Sequence, residues 1–300
     1  MLQKHNSTKH THVQEAEPIC ILAGSKVTLI RQGDVHAEVL FMSNQSKLGI
    51  QRLSKDEYVV LASGEVKQFK PAEGKMREAL RRTFQELKAL IRTNFSADDP
   101  YQKFITLTYR GADMTDRERL YADFKKFMMR LKEHCKGHQL EYIVVAEPHA
   151  SGGWHMHLML KSMVMGLWID KDKLTEIWGH GYTEIAQLKS DDVGQYYVHY
   201  FTSLQAEAKD LRNGVADPEA GSKAYIKGGR LQYYPQGFRF YRCSRGIRRP
   251  TREEIMYWKV QNEYGKPKRQ RAIKLVVKDE AAGTEDCINH IQREAFRRRE

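Results

Sequence analysis

Hydrophobic positions in the middle of the chain follow two different periods, and each change of period marks a predicted element. Apolar residues at helical spacing predict an amphipathic helix over residues 75–95, with a basic outer face. The stripe of this helix consists of Leu80, Phe84, Leu87 and Ile91. Asp99-Pro100 ends the segment that follows, because the residue before a proline is disfavoured in a helix.

From residue 104 onward the pattern predicts closely spaced strands and helices. FITLTY and EYIVVAE alternate as strands, and WHMHLML follows a short loop as the second strand of a hairpin. A helix with the apolar stripe Leu120, Phe124, Phe127, Met128 and Leu131 separates the first two strands. A helix over residues 173–178, the strand YTEIAQL and a helix in VGQYYVHYFTSL complete the order, the last helix capped within Ser190–Asp192. This order predicts an α+β fold built on an antiparallel sheet.

Composition excludes some classes of protein. No apolar run approaches the roughly 20 residues of a membrane helix, and the polar, His-rich first residues lack the apolar core of a signal peptide. We therefore expect a cytoplasmic protein. The four cysteines lie far apart without a CxxC pair, which favours reduced thiols over a zinc site or a close-spaced disulfide framework.

The net charge of +12 is concentrated in one part of the chain. Residues 223–274 contain fifteen Lys or Arg and three Glu. Aromatic residues alternate with these cations, a mixture that is typical of single-strand nucleic-acid surfaces and also of a basic face over an aromatic core. The aromatic residues are Tyr225, Tyr233, Tyr234, Phe238, Phe240, Tyr241, Tyr257, Trp258 and Tyr264. The cations expected to contact DNA are Arg230, Arg239, Arg242, Arg245, Arg248 and Arg249.

Two histidines in the second strand of the hairpin are candidate metal ligands. The period of two places His155 and His157 on one face of the strand, opposite the apolar residues. Glu147 ends the preceding strand and adds a carboxylate to the two imidazoles, a set that suits a divalent metal with open positions. His149 is a competing third ligand, and two histidines on a strand also occur for packing alone.

A tyrosine cluster follows the histidines. Tyr196 and Tyr200 are four residues apart and share one face of the predicted helix, whereas Tyr197 is turned away by about 100°. Such a stripe is usually part of a core. A tyrosine can also attack phosphorus and form a covalent intermediate when a metal polarises the phosphate.

Three segments together resemble a known family. FITLTY, then Glu147 with GGWHMHL, then YYVHY are similar in type and order to the three motifs of the HUH replication initiators, whose middle motif is His-hydrophobic-His. Relaxases place the tyrosine motif before the histidines. The resemblance covers residues 101–203, and RLQYYPQGFRFYRCSRGIRRP resembles the C-terminal segment of plasmid-type and integrative-element initiators.

The resemblance implies a ferredoxin-like core with an antiparallel five-stranded sheet and flanking helices. It divides the chain into a small β-rich extension (1–75), an endonuclease core (76–205) and a basic aromatic DNA-binding extension (206–300). It implies that His155, His157 and Glu147 bind Mg²⁺ or Mn²⁺. A tyrosine of this family attacks a DNA phosphate, leaving a 5′-phosphotyrosine and a 3′-hydroxyl that primes rolling-circle replication.

Residue roles carry over with one departure. Tyr196 corresponds to the first tyrosine of the family pattern and Tyr200 to the second, and either can be the principal nucleophile. The usual lysine of the motif is His199 here, so His199, Lys189 or a C-terminal basic residue takes its role. Thr106 and Thr108 on the first strand are candidates for hydrogen bonds to the ligands or to DNA, or are ordinary strand residues.

The implied partners are single-stranded DNA at a replication origin, a host helicase and a polymerase. The chain has no GxxxxGK[ST] loop, so strand separation requires another source. Two alternatives stay open: a transposase or mobilisation nickase with the same chemistry, and a DNA-binding regulator without catalysis whose histidines are structural.

Overall fold

A computed structural model describes most of the chain, namely residues 9–44, 50–52, 57–60, 66–68, 75–111, 114–148, 153–190, 192–205, 225–226, 229–235, 237–279 and 283–298. The chain forms two compact units, one made of residues 1–73 and 250–300 and the other of residues 74–249. No helix of the described part is both long enough and apolar enough to cross a membrane.

The strands are β1 (Lys9–Ala16), β2 (Lys26–Gln32), β3 (His36–Met42), β4 (Ile50–Arg52), β5 (Glu57–Val60), β6 (Val66–Gln68), β7 (Gln102–Leu107), β8 (Leu140–Pro148), β9 (Trp154–Ser162), β10 (Thr183–Ala186), β11 (Leu204–Gln205), β12 (Tyr225–Ile226), β13 (Tyr241–Cys243), β14 (Thr251–Met256), β15 (Arg269–Asp279) and β16 (Thr284–Arg297). The α-helices are α1 (Lys75–Asn94), α2 (Arg117–His134), α3 (Lys171–Trp178), α4 (Val193–Thr202) and α5 (Tyr257–Tyr264). A 3₁₀ helix spans Gly229–Tyr233.

The unit of residues 74–249 is built on a five-stranded sheet in the order β10-β7-β9-β8-β13, and all its strand pairs are antiparallel. Between β7 and β10 the chain runs strand, helix, strand, strand, helix, strand, which with this sheet order is the ferredoxin-like arrangement. The predicted α+β fold with a five-stranded antiparallel sheet is confirmed.

Each face of this sheet is covered by a pair of helices. The buried residues of α2 and α3 pack with Trp154, Met156 and Leu158 on one face. The buried residues of α1 and α4 pack on the other face, which also carries Met159. Because side chains alternate along β9, the second face is the one that carries His155 and His157. The apolar residues of β9 thus anchor the strand, and the histidines project towards α4.

Close packing against α1 fixes the start of α4. A Cβ on Gly194 would lie 2.7 Å from the carbonyl oxygen of Lys88, so only glycine allows this approach. The Asp192 side chain accepts a hydrogen bond from the backbone N–H of Gln195 as the N-cap of α4. It also pairs with Arg92 of α1 through both carboxylate oxygens. These contacts set the position of the helix that carries the tyrosines.

The other unit contains a six-stranded sheet in the order β1-β15-β16-β3-β2-β14. The strands β1, β2 and β3 from the start of the chain pair with strands from its end. α5 packs Tyr257, Val260 and Tyr264 into the core of this unit. The predicted β-rich character of residues 1–75 is therefore found in β1 to β6, but a single sheet includes both ends of the chain.

This division differs from the boundary predicted at residue 205. Residues 206–249 lie in the same unit as the predicted core, and residues 250–300 belong with the first residues of the chain. Four of the aromatic residues read as candidate base-stacking groups are instead buried in the two cores. They are Tyr234, Phe240, Tyr257 and Tyr264. Apolar burial, rather than base stacking, explains this part of the aromatic pattern.

A fragment of residues 74–249 is expected to fold, and a fragment of residues 74–205 is not. The shorter fragment lacks β13 and the buried side chains of Tyr234, Phe240 and Ile247. Each such side chain contributes about 1.5–3 kcal/mol, a large share of the roughly 5–15 kcal/mol that stabilise a domain. Thermal melting followed by circular dichroism checks this, and a cooperative transition of the shorter fragment at the same temperature as the longer one would contradict it.

Candidate metal centre and tyrosine helix

The hairpin of β8 and β9 brings an acidic residue directly opposite a histidine. Glu147 pairs with His155 in the antiparallel register, and Val145 pairs with His157. Directly opposed residues share one face of a sheet, so Glu147, His155 and His157 project to the same side. One ligand atom from each lies within 4.8 Å of the others.

The cluster is buried, and its atoms point at one another. Glu147, His155 and His157 are 2%, 8% and 1% exposed. Glu147 Oε2 lies 2.6 Å from His157 Nε2 and 3.5 Å from His155 Nε2. Within the described residues, neither Glu147 Oε2 nor His157 Nε2 has a partner in correct hydrogen-bond geometry. Buried lone pairs that converge without a hydrogen bond are the arrangement of ligand atoms around a cation.

The protonation states of the cluster also suit a cation. Burial by itself raises the pKa of the Glu147 carboxyl, but the adjacent imidazoles of His155 and His157 hold that pKa well below its usual range. Burial lowers the pKa of His155, and Glu147 offsets this only in part. A carboxylate and a neutral imidazole are the forms that bind metals. The residues therefore fit a divalent ion, with two nitrogens and one oxygen as ligands.

Thr106 supports His157 from the neighbouring strand. The two residues are paired across β7 and β9, and the Thr106 hydroxyl lies 3.2 Å from His157 Nδ1. An Nδ1–H donated to this hydroxyl leaves Nε2 with its lone pair towards Glu147, which is how outer groups orient metal-binding histidines. Thr108 instead donates to the carbonyl oxygen of Tyr182, at 2.9 Å, where β7 ends beside β10.

The two candidate tyrosines both lie on the exposed side of α4, but only Tyr200 has its ring against the cluster. Its ring centroid is 5.2 Å from that of His157, with the planes at 88°. Tyr196, 49% exposed, packs edge-on against Tyr197 at 5.0 Å. Tyr197 is buried, and burial raises its pKa, as expected for a core residue. Phe104 packs on His157 from β7 and completes the aromatic surroundings.

Other predicted site residues lie further from the cluster or outside the described residues. His199 is exposed, and its ring lies beside the Ser203 hydroxyl at the end of α4, with nitrogen–oxygen distances of 3.2 and 3.3 Å. Lys189 is exposed before α4. His149, the competing ligand, lies outside the described residues.

Two of the six candidate DNA-binding arginines are held by the protein itself. Arg230 forms an ion pair with Glu147 Oε1, a contact that sequence reasoning missed. Arg248 donates from its backbone N–H to Asn94 and from its guanidinium to the carbonyl oxygen of Thr93.

The other four arginines are exposed. The guanidinium of Arg242 stacks 3.5 Å above the ring of Tyr121, and that of Arg249 contacts the Cys243 sulfur at 3.7 Å. The backbone carbonyl of Arg239 accepts a hydrogen bond from the Tyr121 hydroxyl, and Arg245 follows β13. These four side chains stay available to a polyanion.

Comparison with known sequences finds a family match over the same elements. Residues 102–205 match the model of a replication-associated protein family, the one named after ORF2. The matched segment runs from β7 to β11 and contains Glu147, both histidines and α4. The match supports a replication initiator. Neither the curated proteins nor the solved structures contain a match to this chain.

Proposed function

We propose that this protein nicks and rejoins single-stranded DNA, and that it initiates and terminates rolling-circle replication through a 5′-phosphotyrosine. The observation that carries the proposal is the buried cluster of Glu147, His155 and His157 with the ring of Tyr200 in contact with His157. The family match over these residues supports a substrate at a replication origin.

Glu147, His155 and His157 would hold Mg²⁺ or Mn²⁺, which when bound supplies a Lewis acid that polarises the scissile phosphate. Thr106 keeps His157 oriented through its Nδ1 atom. The exposed arginines that follow the 3₁₀ helix neutralise phosphates along the bound strand; they are Arg239, Arg242, Arg245 and Arg249.

The reaction exchanges one phosphoester bond for another. Tyr200 Oη attacks the phosphorus, the bond between phosphorus and O3′ breaks, and the hydroxyl proton ends on the released O3′. The tyrosine then carries the 5′ end of the downstream strand, and the free 3′-hydroxyl primes synthesis. Because the phosphotyrosine is itself a phosphodiester, attack by a 3′-hydroxyl reverses the step and reseals a strand.

A covalent adduct on a denaturing gel tests the proposal directly. Purified protein is incubated with single-stranded DNA from the region beside its gene, labelled at the 5′ or the 3′ end, with Mn²⁺, Mg²⁺ or EDTA. We expect the 3′ label to migrate with the protein in either metal and not in EDTA, and the 5′ label to appear in a shortened free strand. Tight DNA binding without an adduct in either metal would contradict the proposal and favour a regulator without catalysis.

A further inference from the structure

Arg230 lies outside the segment that matches the replication-associated family, yet its side chain reaches the metal cluster. The guanidinium pairs with Glu147 Oε1 and donates from Nη1 to the carbonyl oxygen of Pro148 and from Nε to that of Ser203, each at 3.2 Å. The side chain is 17% exposed. These acceptors belong to the end of β8 and to the C-cap of α4.

The two oxygens of the Glu147 carboxylate therefore have different partners. Arg230 takes Oε1, and Oε2 faces His155 and His157. A planar guanidinium fixes the direction of a carboxylate more strongly than a single point charge does. Holding Oε1 thus fixes the rotation of the group that presents Oε2 to the cluster.

The second set of contacts acts on the tyrosine helix. Ser203 is the C-cap of α4, and its carbonyl oxygen accepts from Arg230 Nε. A cation at the C-terminus of a helix is favourable because the last carbonyl groups carry partial negative charge. The same side chain therefore links the carboxylate ligand to the helix that carries Tyr200.

We propose that Arg230 is a positioning residue that orients Glu147 towards the metal and ties it to the end of the tyrosine helix. The inference rests on the proposed function for its reaction, but the metal binding that it predicts is measured without DNA. Arg230 thereby differs from the exposed arginines of the same basic stretch, whose partner is the phosphate backbone. It also makes the segment after residue 205 part of the active site.

The test compares Arg230→Gln and Arg230→Lys with Arg245→Gln in the full-length protein. Mn²⁺ affinity is measured by electron paramagnetic resonance without DNA, and single-stranded DNA affinity by fluorescence anisotropy in EDTA. Arg245 is exposed and serves as the control for loss of one cation. Melting temperatures are recorded without metal, so that a general loss of structure is recognised.

We expect Arg230→Gln to weaken Mn²⁺ binding by about 10–100-fold, the usual cost of removing a group that orients a ligand. Arg230→Lys keeps the charge but not the fork and should give an intermediate affinity. DNA affinity in EDTA should fall no more in these variants than in Arg245→Gln, which should bind Mn²⁺ normally. If Arg230→Gln does not fold, the same comparison is made with Arg230→Lys.

Three results would overturn the inference. They are Mn²⁺ binding by Arg230→Gln that is as tight as in the native protein, full recovery in Arg230→Lys, and a loss of DNA affinity with unchanged Mn²⁺ affinity. The last result would make Arg230 a phosphate contact. Failure of the proposed function is distinguishable, because it would leave the Mn²⁺ results intact while no covalent adduct forms in the native protein.

Discussion

Replacing either histidine of the cluster by alanine is expected to abolish metal-dependent cleavage while leaving most of the DNA affinity. His155 and His157 each supply one of the three ligands, and two ligands hold a divalent ion far more weakly than three. Removing a group that merely orients a ligand already costs about 10–100-fold, so loss of a ligand should reduce adduct formation by at least about 10²-fold. The amount of adduct at fixed Mn²⁺ measures this effect.

A second readout separates loss of the metal from loss of the fold. A metal present at 100 times its dissociation constant stabilises the folded state by about 2.7 kcal/mol, which raises the melting temperature of a domain of this size by about 5–10 °C. His155→Ala and His157→Ala should lose this increase. His134→Ala, an exposed residue at the end of α2, should keep both the increase and the adduct. Native levels of cleavage in both cluster variants would refute the metal assignment.

The metal cluster was predictable because its geometry is local. The period of two along β9 puts His155 and His157 on one face, and a tight hairpin fixes which residue of β8 faces them. Glu147 consequently lies opposite His155, as its place at the end of the preceding strand had indicated. Most of the helices and strands between residues 75 and 203 were predictable for the same reason, since their apolar periods extend over a few turns or one strand.

The role of Arg230 was not predictable, because its partner is remote in the sequence. Glu147 and Arg230 are joined through the 3₁₀ helix of Gly229–Tyr233, and nothing in a run of arginines distinguishes the one that turns inwards. By charge alone, Arg230 resembles Arg239 and Arg242. Only the fold separates a cation that meets a buried carboxylate from one that meets solvent.

The sheet that includes both ends of the chain shows the same limit. β1 pairs with β15 from Lys9↔Asp279 to Ala16↔Ala272, a register between strands that local patterns cannot connect. The basic residues of β15 alternate with buried Ala272 and Val276, so this part of the basic stretch is a strand with one exposed face. Composition had given the charge correctly but not the structure that carries it.

Tyr200→Phe is expected to eliminate the covalent adduct, whereas Tyr196→Phe should retain it. The ring of Tyr200 contacts His157, and Tyr196 lies one helical turn earlier with its ring against Tyr197. The substitution removes only the hydroxyl, so packing on Phe104 and His157 is preserved. Loss of an attacking group should lower adduct formation by about 10³-fold or more. The gel assay with 3′-labelled DNA and Mn²⁺ measures both variants.

Tyr182→Phe is the matched control, because Tyr182 is exposed and stacks with Arg110 away from α4. It should form the adduct at the native level. Mn²⁺ affinity should be unchanged in all three variants, since no tyrosine belongs to the ligand set. An adduct that persists in Tyr200→Phe and disappears in Tyr196→Phe would reverse the assignment. If both single variants form it and only the double variant fails, each tyrosine reaches the phosphate, and contact with His157 does not select the nucleophile.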